Sequence, residues 1–174
     1  MTLSTGGLLV KLLTETTCYQ WFAFYVLAML CVVQRVLSAK VIVQGAEVAR
    51  IGPGLLLLVG VGMEDDGGKS AQLAAQVLKL RIFEDETGRM GRALPETGGE
   101  LLVVSQFTLM ADFSKGNRPS FHRAAHPDVA RPLIEELVAT LEAGLGRPVK
   151  TGVFGAEMKV DLTNDGPATF VLES

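Results

Sequence analysis

Cysteine and histidine are scarce in this chain: two of each among 174 residues. Cys18 and Cys31 lie near the N-terminus, and His122 and His126 sit far away in "SFHRAAHPD". The histidines are four apart, which would put them on one face of a helix, but no acid or cysteine stands at ligand spacing. No metal is expected. Two cysteines are too few for a disulfide scaffold and fit a reducing compartment. The formal charge is only −3, so there is no overall pull toward nucleic acid, and any such contact needs a local basic patch. No G-x-S-x-G elbow and no supported Ser/His/Asp order is found. "GMEDDGGKS" at 62–70 lacks a P-loop, because Met63 stands where the first glycine is required and Glu64, Asp65 and Asp66 would repel phosphate. An acidic turn leading into a helix is the simpler reading. No cofactor is expected.

What is present is a chain long enough for one domain with a real core, 48% apolar and 20% charged. Its unusual part is the beginning. No charge occurs between Glu15 and Arg35, and "WFAFYVLAMLCVV" is strongly apolar. A signal anchor has little flanking charge to orient it, and a presequence would need arginine, which the first thirty residues lack. The preferred division is an apolar extension over 1–28, accessory or a mis-assigned start, and a folded domain over 29–174 with no membrane role. A full span would consume "CVVQRVLSAKVIV", whose β-branched residues read as strand.

Strands are expected at 31–37 and 40–44, with a hairpin at Gln44-Gly45-Ala46 and a turn at "GPG" 52–54. "LLLLVGV" at 55–61 and "ELLVVSQFTL" at 100–109 read as buried strands. Helices are expected at 69–80 and 128–143. The second would have Asp128 as N-cap, Pro132 in its first turn and Gly144 as its stop. Strands near 148–154, 157–163 and 168–173 finish the chain, with Asn164-Asp165-Gly166 as a hairpin turn. The fold class is therefore α/β: a sheet-rich single domain of mixed and antiparallel strands with two main helices on a sheet face.

Three stretches bear on function. In "SQFTL", Ser105 and Gln106 end a buried strand, a usual place for a site. As a strand, Val104, Gln106 and Thr108 would share one face. "KGNRPSFHRAAHPDVAR" at 115–131 sets Lys115, Arg118, Arg123 and Arg131 against one acid, Asp128. It reads either as an anion-docking surface or as a solvated loop. Gly166-Pro167 heads the last strand run. Cis X-Pro bonds are a small minority, so trans is expected from sequence alone, although a tight turn raises the cis odds.

Together these residues resemble the D-aminoacyl-tRNA deacylases, from about Met29 to Ser174. "VVQRV" looks like that family's opening strand, and "LRIFEDETGRM" and "GGELLVVSQFTLMADFSKGNRPSF" like its middle. "TGVFGAEMKVDLTNDGPATF" looks like its end. Ser-Gln-Phe-Thr at 105–108 and Asn-x-Gly-Pro-x-Thr at 164–169 are the specific motifs. Ala168 departs from the valine usual after Gly-Pro.

The resemblance implies a cytoplasmic, tRNA-binding hydrolase without cofactor, a homodimer with sites at its interface. Its Gly-Pro bond would be cis, and Gly166 and Pro167 would enter the partner's pocket as a rigid main-chain gate. That gate would reject L-aminoacyl groups and pass D-aminoacyl groups and glycine. Ser105, Gln106, Phe107 and Thr108 are then the expected catalytic set. Asn164, Gly166, Pro167, Thr169, Met158, Phe121 and Arg35 are the expected substrate-binding set, with Arg35 pinning the gate and Phe121 and Met158 lining the adenosine pocket. Three rivals stay open: a related deacylase of misacylated L-alanyl-tRNA, in which Gly-Pro would be trans, a catalytically silent tRNA-binding dimer, and a membrane-tethered form using residues 17–34.

Overall fold

The computed structural model describes residues 29–174. The apolar run over 17–28 lies outside the described residues. From Met29 onward the chain builds a six-stranded mixed sheet, a two-stranded hairpin and two helices. The strands are β1 (Leu30–Val43), β2 (Ala46–Ile51), β3 (Gly54–Gly60), β4 (Arg81–Glu84), β5 (Met90–Ala93), β6 (Glu100–Ser105), β7 (Lys150–Thr151) and β8 (Met158–Glu173). The helices are α1 (Gly67–Lys79) and α2 (Pro127–Leu145). This is the sheet-rich α/β class that the pattern of elements implied.

β1 organises the sheet. One edge pairs with β3 over its first half and β2 over its second, and the other edge pairs with β8 along the whole strand. β3 continues in parallel to β6, and β6 to β7. Sequence had suggested two strands at 31–37 and 40–44. They are one, because the β8 ladder carries through the break, absorbing it as a register shift between Val36 and Ser38. The β1–β2 hairpin is tight: Val43 pairs with Ala46, so Gln44 and Gly45 form the loop, with φ of 50° and 83°. Positive φ at both central positions is what the primed hairpin turns require.

At β3 and β6 both sheet faces are buried, which explains why these strands read as continuous apolar runs. On one face Cys31, Val33, Leu55, Leu57, Leu101 and Val103 pack with Leu73 and Val77 of α1 and Leu137 and Leu141 of α2. On the other, Val36, Val41, Ile51, Leu56, Leu102 and Val104 form a second cluster, closed by the curl of the sheet itself. Alternation along each strand thus feeds two cores at once.

The helix ends correct several expectations. α1 starts after Asp66, whose carboxylate accepts from Lys69 N at 3.0 Å. Asp65, with its side chain buried, accepts from Gly62 N at 2.6 Å and pairs with Lys69 at 3.1 Å, so the acidic turn is structural. α2 begins earlier than expected. His126 rather than Asp128 is the N-cap, accepting from Asp128 N, because Pro127 has the φ of a first helical residue and no N–H to satisfy. Pro132 therefore falls beyond the first turn. The helix also passes Gly144 and stops at Gly146. Gly144 serves contact instead: a Cβ there would lie 2.3 Å from Leu78 of α1.

The end of the chain differs most. Strands 157–163 and 168–173 do not form a hairpin, and both pair with β1 as one strand, β8. The region near 148–154 supplies only the two residues of β7.

Gly54 sets a test of the β3–β6 seam. A Cβ on it would stand 1.9 Å from the Glu100 carbonyl oxygen, a backbone atom in the paired strand. Gly54→Ala should cost about 4 kcal/mol or leave no folded protein. Gly45→Ala, with open space but positive φ, should cost only about 1 kcal/mol. Urea unfolding of the two variants checks the contrast, and equal losses would contradict the seam's close approach.

Candidate functional site

β6 ends where β3 ends. Gln106 N donates to Val59 O at 2.7 Å as the last rung, and the chain then folds into a short 3-10 turn over Phe107–Met110. The expected strand to residue 109 therefore stops at Ser105. Gly60 makes room for the turn: a Cβ on it would lie 2.9 Å from Leu109 Cβ and 3.0 Å from the Gln106 carbonyl. Leaving the sheet destroys the predicted alternation, so Gln106 and Thr108 do not share a strand face. They meet across the turn, where the Gln106 amide donates to the Thr108 hydroxyl. Phe107 and Thr108 are exposed. Their N–H groups open the turn, where helical geometry supplies no acceptor.

Ser105, Gln106 and Phe107 form one wall of a cavity of about 490 Å³. Phe154 and Met158 also line it, with small apolar residues of α2 and the segment before it. A mostly apolar pocket of this size with a few polar groups suits a small organic moiety. Phe107 meets Phe121 edge to face, centroids 5.0 Å apart. Sequence reasoning missed Phe154. It sits in an irregular stretch without periodicity, and its ring is covered by the Arg131 guanidinium at 4.8 Å, a pairing between distant positions that leaves no local signal.

A second feature stands on β8. As β1 advances from Gln34 to Val36, β8 falls back from Thr169 to Asn164, so surplus β8 residues are pushed out opposite Arg35. They make a small projecting loop over 165–168. The Gly166–Pro167 peptide at its tip is cis, and both residues are exposed. Its base is bound tightly. Arg35, only 7% exposed, donates Nε to the Asp165 carbonyl at 3.2 Å and lies 2.9 Å from the Asp165 carboxylate. Another guanidinium nitrogen donates to Ile82 O of β4 at 2.5 Å. Asn164 closes the ring, its amide donating to Arg35 O at 2.9 Å and to Ala168 O at 3.4 Å. Ala168 is buried beneath.

The structure thus gathers the expected residues into two groups. Ser105, Gln106, Phe107 and Met158 line the cavity, with Thr108 and Phe121 at its edge through Gln106 and Phe107. Gly166 and Pro167 form the tip of the β8 loop, Asn164 and Thr169 flank it and Arg35 of β1 braces it, and none of these five lines that cavity in the single chain. Cys31, the other reactive residue type at hand, is fully buried, and desolvation pushes its thiol up to about 12, so it is no nucleophile.

A curled mixed sheet with a pocket at the end of one strand and a braced loop on another defines an α/β domain of a particular kind. The D-Tyr-tRNA(Tyr) deacylase family model matches residues 32–173. The chain is 53% identical to a D-aminoacyl-tRNA deacylase of Chlorobaculum parvum, over 84% of this chain and 98% of that one. It is 57% identical to one of Thermomicrobium roseum, over 81% and 91%. Among solved structures it resembles a c-Myc DNA unwinding element binding protein at 38% identity and a TM-score of 0.79, covering 84% of this chain and 99% of that one. The chain belongs to the D-Tyr-tRNA(Tyr) deacylase family.

Two measurements probe these geometries. Arg35→Met should destabilise the fold by about 2–3 kcal/mol, because it strands the Ile82 and Asp165 carbonyls. Asp165→Ala should cost only about 0.5 kcal/mol, since its half-exposed carboxylate is well solvated and the backbone contact stays. Equal losses in denaturant unfolding would contradict the bracing. Mass-mapped alkylation of the native protein at pH 8 should leave Cys31 unmodified until denaturant is added. Rapid native labelling would contradict its burial.

Proposed function

We propose that this protein hydrolyses the ester joining a D-amino acid to the terminal adenosine of tRNA and spares L-aminoacyl-tRNA. The observation that carries the reading is the projecting 165–168 loop, held by Arg35 and Asn164 on a chain whose relatives are named D-aminoacyl-tRNA deacylases. A braced main-chain wall discriminates by steric exclusion. A D-aminoacyl group turns its Cα hydrogen to the wall, whereas an L-aminoacyl group would drive its side chain into it. Such a wall needs no side-chain pocket, so many D-residues pass, and glycyl-tRNA passes too.

The wall and the cavity work together when the loop of one copy enters the cavity of a second, which makes the functional unit a homodimer built from residues 29–174. The reading places the protein in the cytoplasm with its tRNA substrate. The terminal adenosine sits in the cavity beside Met158 and Phe121, and Asn164 and Thr169 keep the loop in place.

The ester is already activated, so catalysis rests on placing a water and stabilising the oxyanion. Water attacks the carbonyl carbon, and the N–H groups of Phe107 and Thr108 face the oxygen that becomes negative. The ester C–O bond then breaks, and the departing ribose oxygen takes a proton as free tRNA leaves. Ser105 and Gln106 shape the pocket by hydrogen bonding. Among the described residues the Thr108 hydroxyl accepts from the Gln106 amide, not from a histidine or lysine. The substrate's own ribose 2′-hydroxyl therefore assists, in preference to a threonine nucleophile.

Hydrolysis of D-tyrosyl-tRNA and L-tyrosyl-tRNA by the full chain tests the reading. The D substrate should be cleaved at least a hundredfold faster. Equal rates would overturn it, and tRNA retention without cleavage of either would favour a silent binder. Thr108→Ala should keep kcat within about tenfold of the parent. Abolished turnover with folding and binding intact would restore the side-chain mechanism. A substrate with a 2′-deoxy terminal adenosine should lose most of its rate.

A further inference from the structure

The loop over residues 112–120 lies outside the cavity lining, and its composition is unusual for an acidic chain. Asp112 and Ser120 pair across its neck, N to O at 2.8 and 3.0 Å. Asp112 also accepts from Ser114 N at 3.0 Å and Ser114 Oγ at 2.9 Å, and these hydrogen bonds hold its carboxyl below the usual carboxylate range. Its remaining contacts are to Arg123 at 3.5 Å and His122 at 3.7 Å, and its side chain is only 10% exposed. The one acid of the segment is therefore spent on holding the loop's shape.

Residues 113–119, beyond the neck, are all exposed and none is acidic, and they include one aromatic ring and two cations. Phe113 is 58% exposed. Lys115 and Arg118 are exposed, and among the described residues neither has an ion-pair partner. The loop is rigidly tied to the cavity. Phe121 follows Ser120 directly and packs on Phe107 of the cavity wall. Two residues further, Arg123 O accepts from Met63 N at 3.0 Å, and Ala125 N donates to Val61 O at 2.9 Å, with Ala124 and Ala125 lining the cavity. An exposed ring beside unpaired cations is the arrangement that holds single-stranded nucleic acid: bases stack on the ring and phosphates face the charges.

We propose that the 112–120 loop grips the single-stranded RNA leading into the cavity, with a base stacked on Phe113 and backbone phosphates against Lys115 and Arg118. This rests on the reading that an aminoacyl-adenosine end occupies the cavity, and it assigns the nucleotides just before that end to a surface outside the reacting site.

The test compares D-tyrosyl-tRNA with D-tyrosyl-adenosine, which lacks the preceding nucleotides, and adds binding of uncharged tRNA by fluorescence anisotropy. On D-tyrosyl-tRNA, Phe113→Ala should raise KM about five- to tenfold with kcat within twofold, and Phe113→Trp should restore it. A Lys115→Gln, Arg118→Gln double variant should flatten the slope of log(kcat/KM) against log[salt] by about 1.4, from about 0.7 per phosphate contact on a single strand. Both variants should match the parent on D-tyrosyl-adenosine. Anisotropy should show the same losses for uncharged tRNA. Parent-like KM, salt slope and tRNA binding in the variants would overturn the proposal, as would equal defects on both substrates or a parent that binds no tRNA. A parent that binds tRNA through this loop but cleaves nothing would sink the deacylase reading and leave the loop's role standing.

Discussion

The guanidinium of Arg35 is the hinge pin of this molecule. It lies almost out of water on the central strand and joins three things that sequence keeps far apart: β1, the Ile82 carbonyl of β4, and the projecting loop of β8 at Asp165. Buried guanidinium is costly unless its donors are used, and here they are aimed at backbone carbonyls, which fix position more stringently than a mobile side chain would. Asn164 reaches back to Arg35 O and Ala168 O, so strand and loop hold each other. A loop so tethered can act as a wall. One supported only by its own residues would yield to a group pressed against it.

The rest of the fold serves that geometry. β1 carries β8 on one edge and β3 with β2 on the other, and the two packed cores on either side of β1, β3 and β6 make the frame stiff. β3 ends at Gly60, and the missing side chain there lets the chain after Ser105 fold back and present Gln106, Phe107 and Thr108 at the rim of the cavity. The pocket and the projecting loop are thus products of two irregularities, a strand that stops and a strand that bulges, set into an otherwise regular sheet.

Much of this was legible in the residues. The two amphipathic helices, the Gln44-Gly45 hairpin and the apolar cores of β3 and β6 follow from periodicity and turn chemistry. The failures share a cause. Asn164-Asp165-Gly166 has the composition of a hairpin turn, but turn composition says only that the chain departs from straight pairing. Which strand it returns to was decided by β1, some 130 positions away. Likewise "SQFTL" keeps strand propensity past Ser105, yet its ladder partner runs out at Gly60. Arg131 over Phe154 is a third instance of contact that no local pattern announces. Position and role of the site residues were suggested by family resemblance, while the bracing around Arg35 became visible only in three dimensions.

The central claim is that the β8 loop of one copy acts in the cavity of another, and subunit complementation tests it most directly. One variant would carry a shortened 165–168 loop, and another Gln106→Ala with Phe107→Ala in the cavity. Each alone should be inactive on D-tyrosyl-tRNA, while co-expressed mixed dimers should recover activity from the one site that combines an intact loop with an intact cavity. Mixed dimers confirmed by mass spectrometry yet as inactive as their parents would contradict the account.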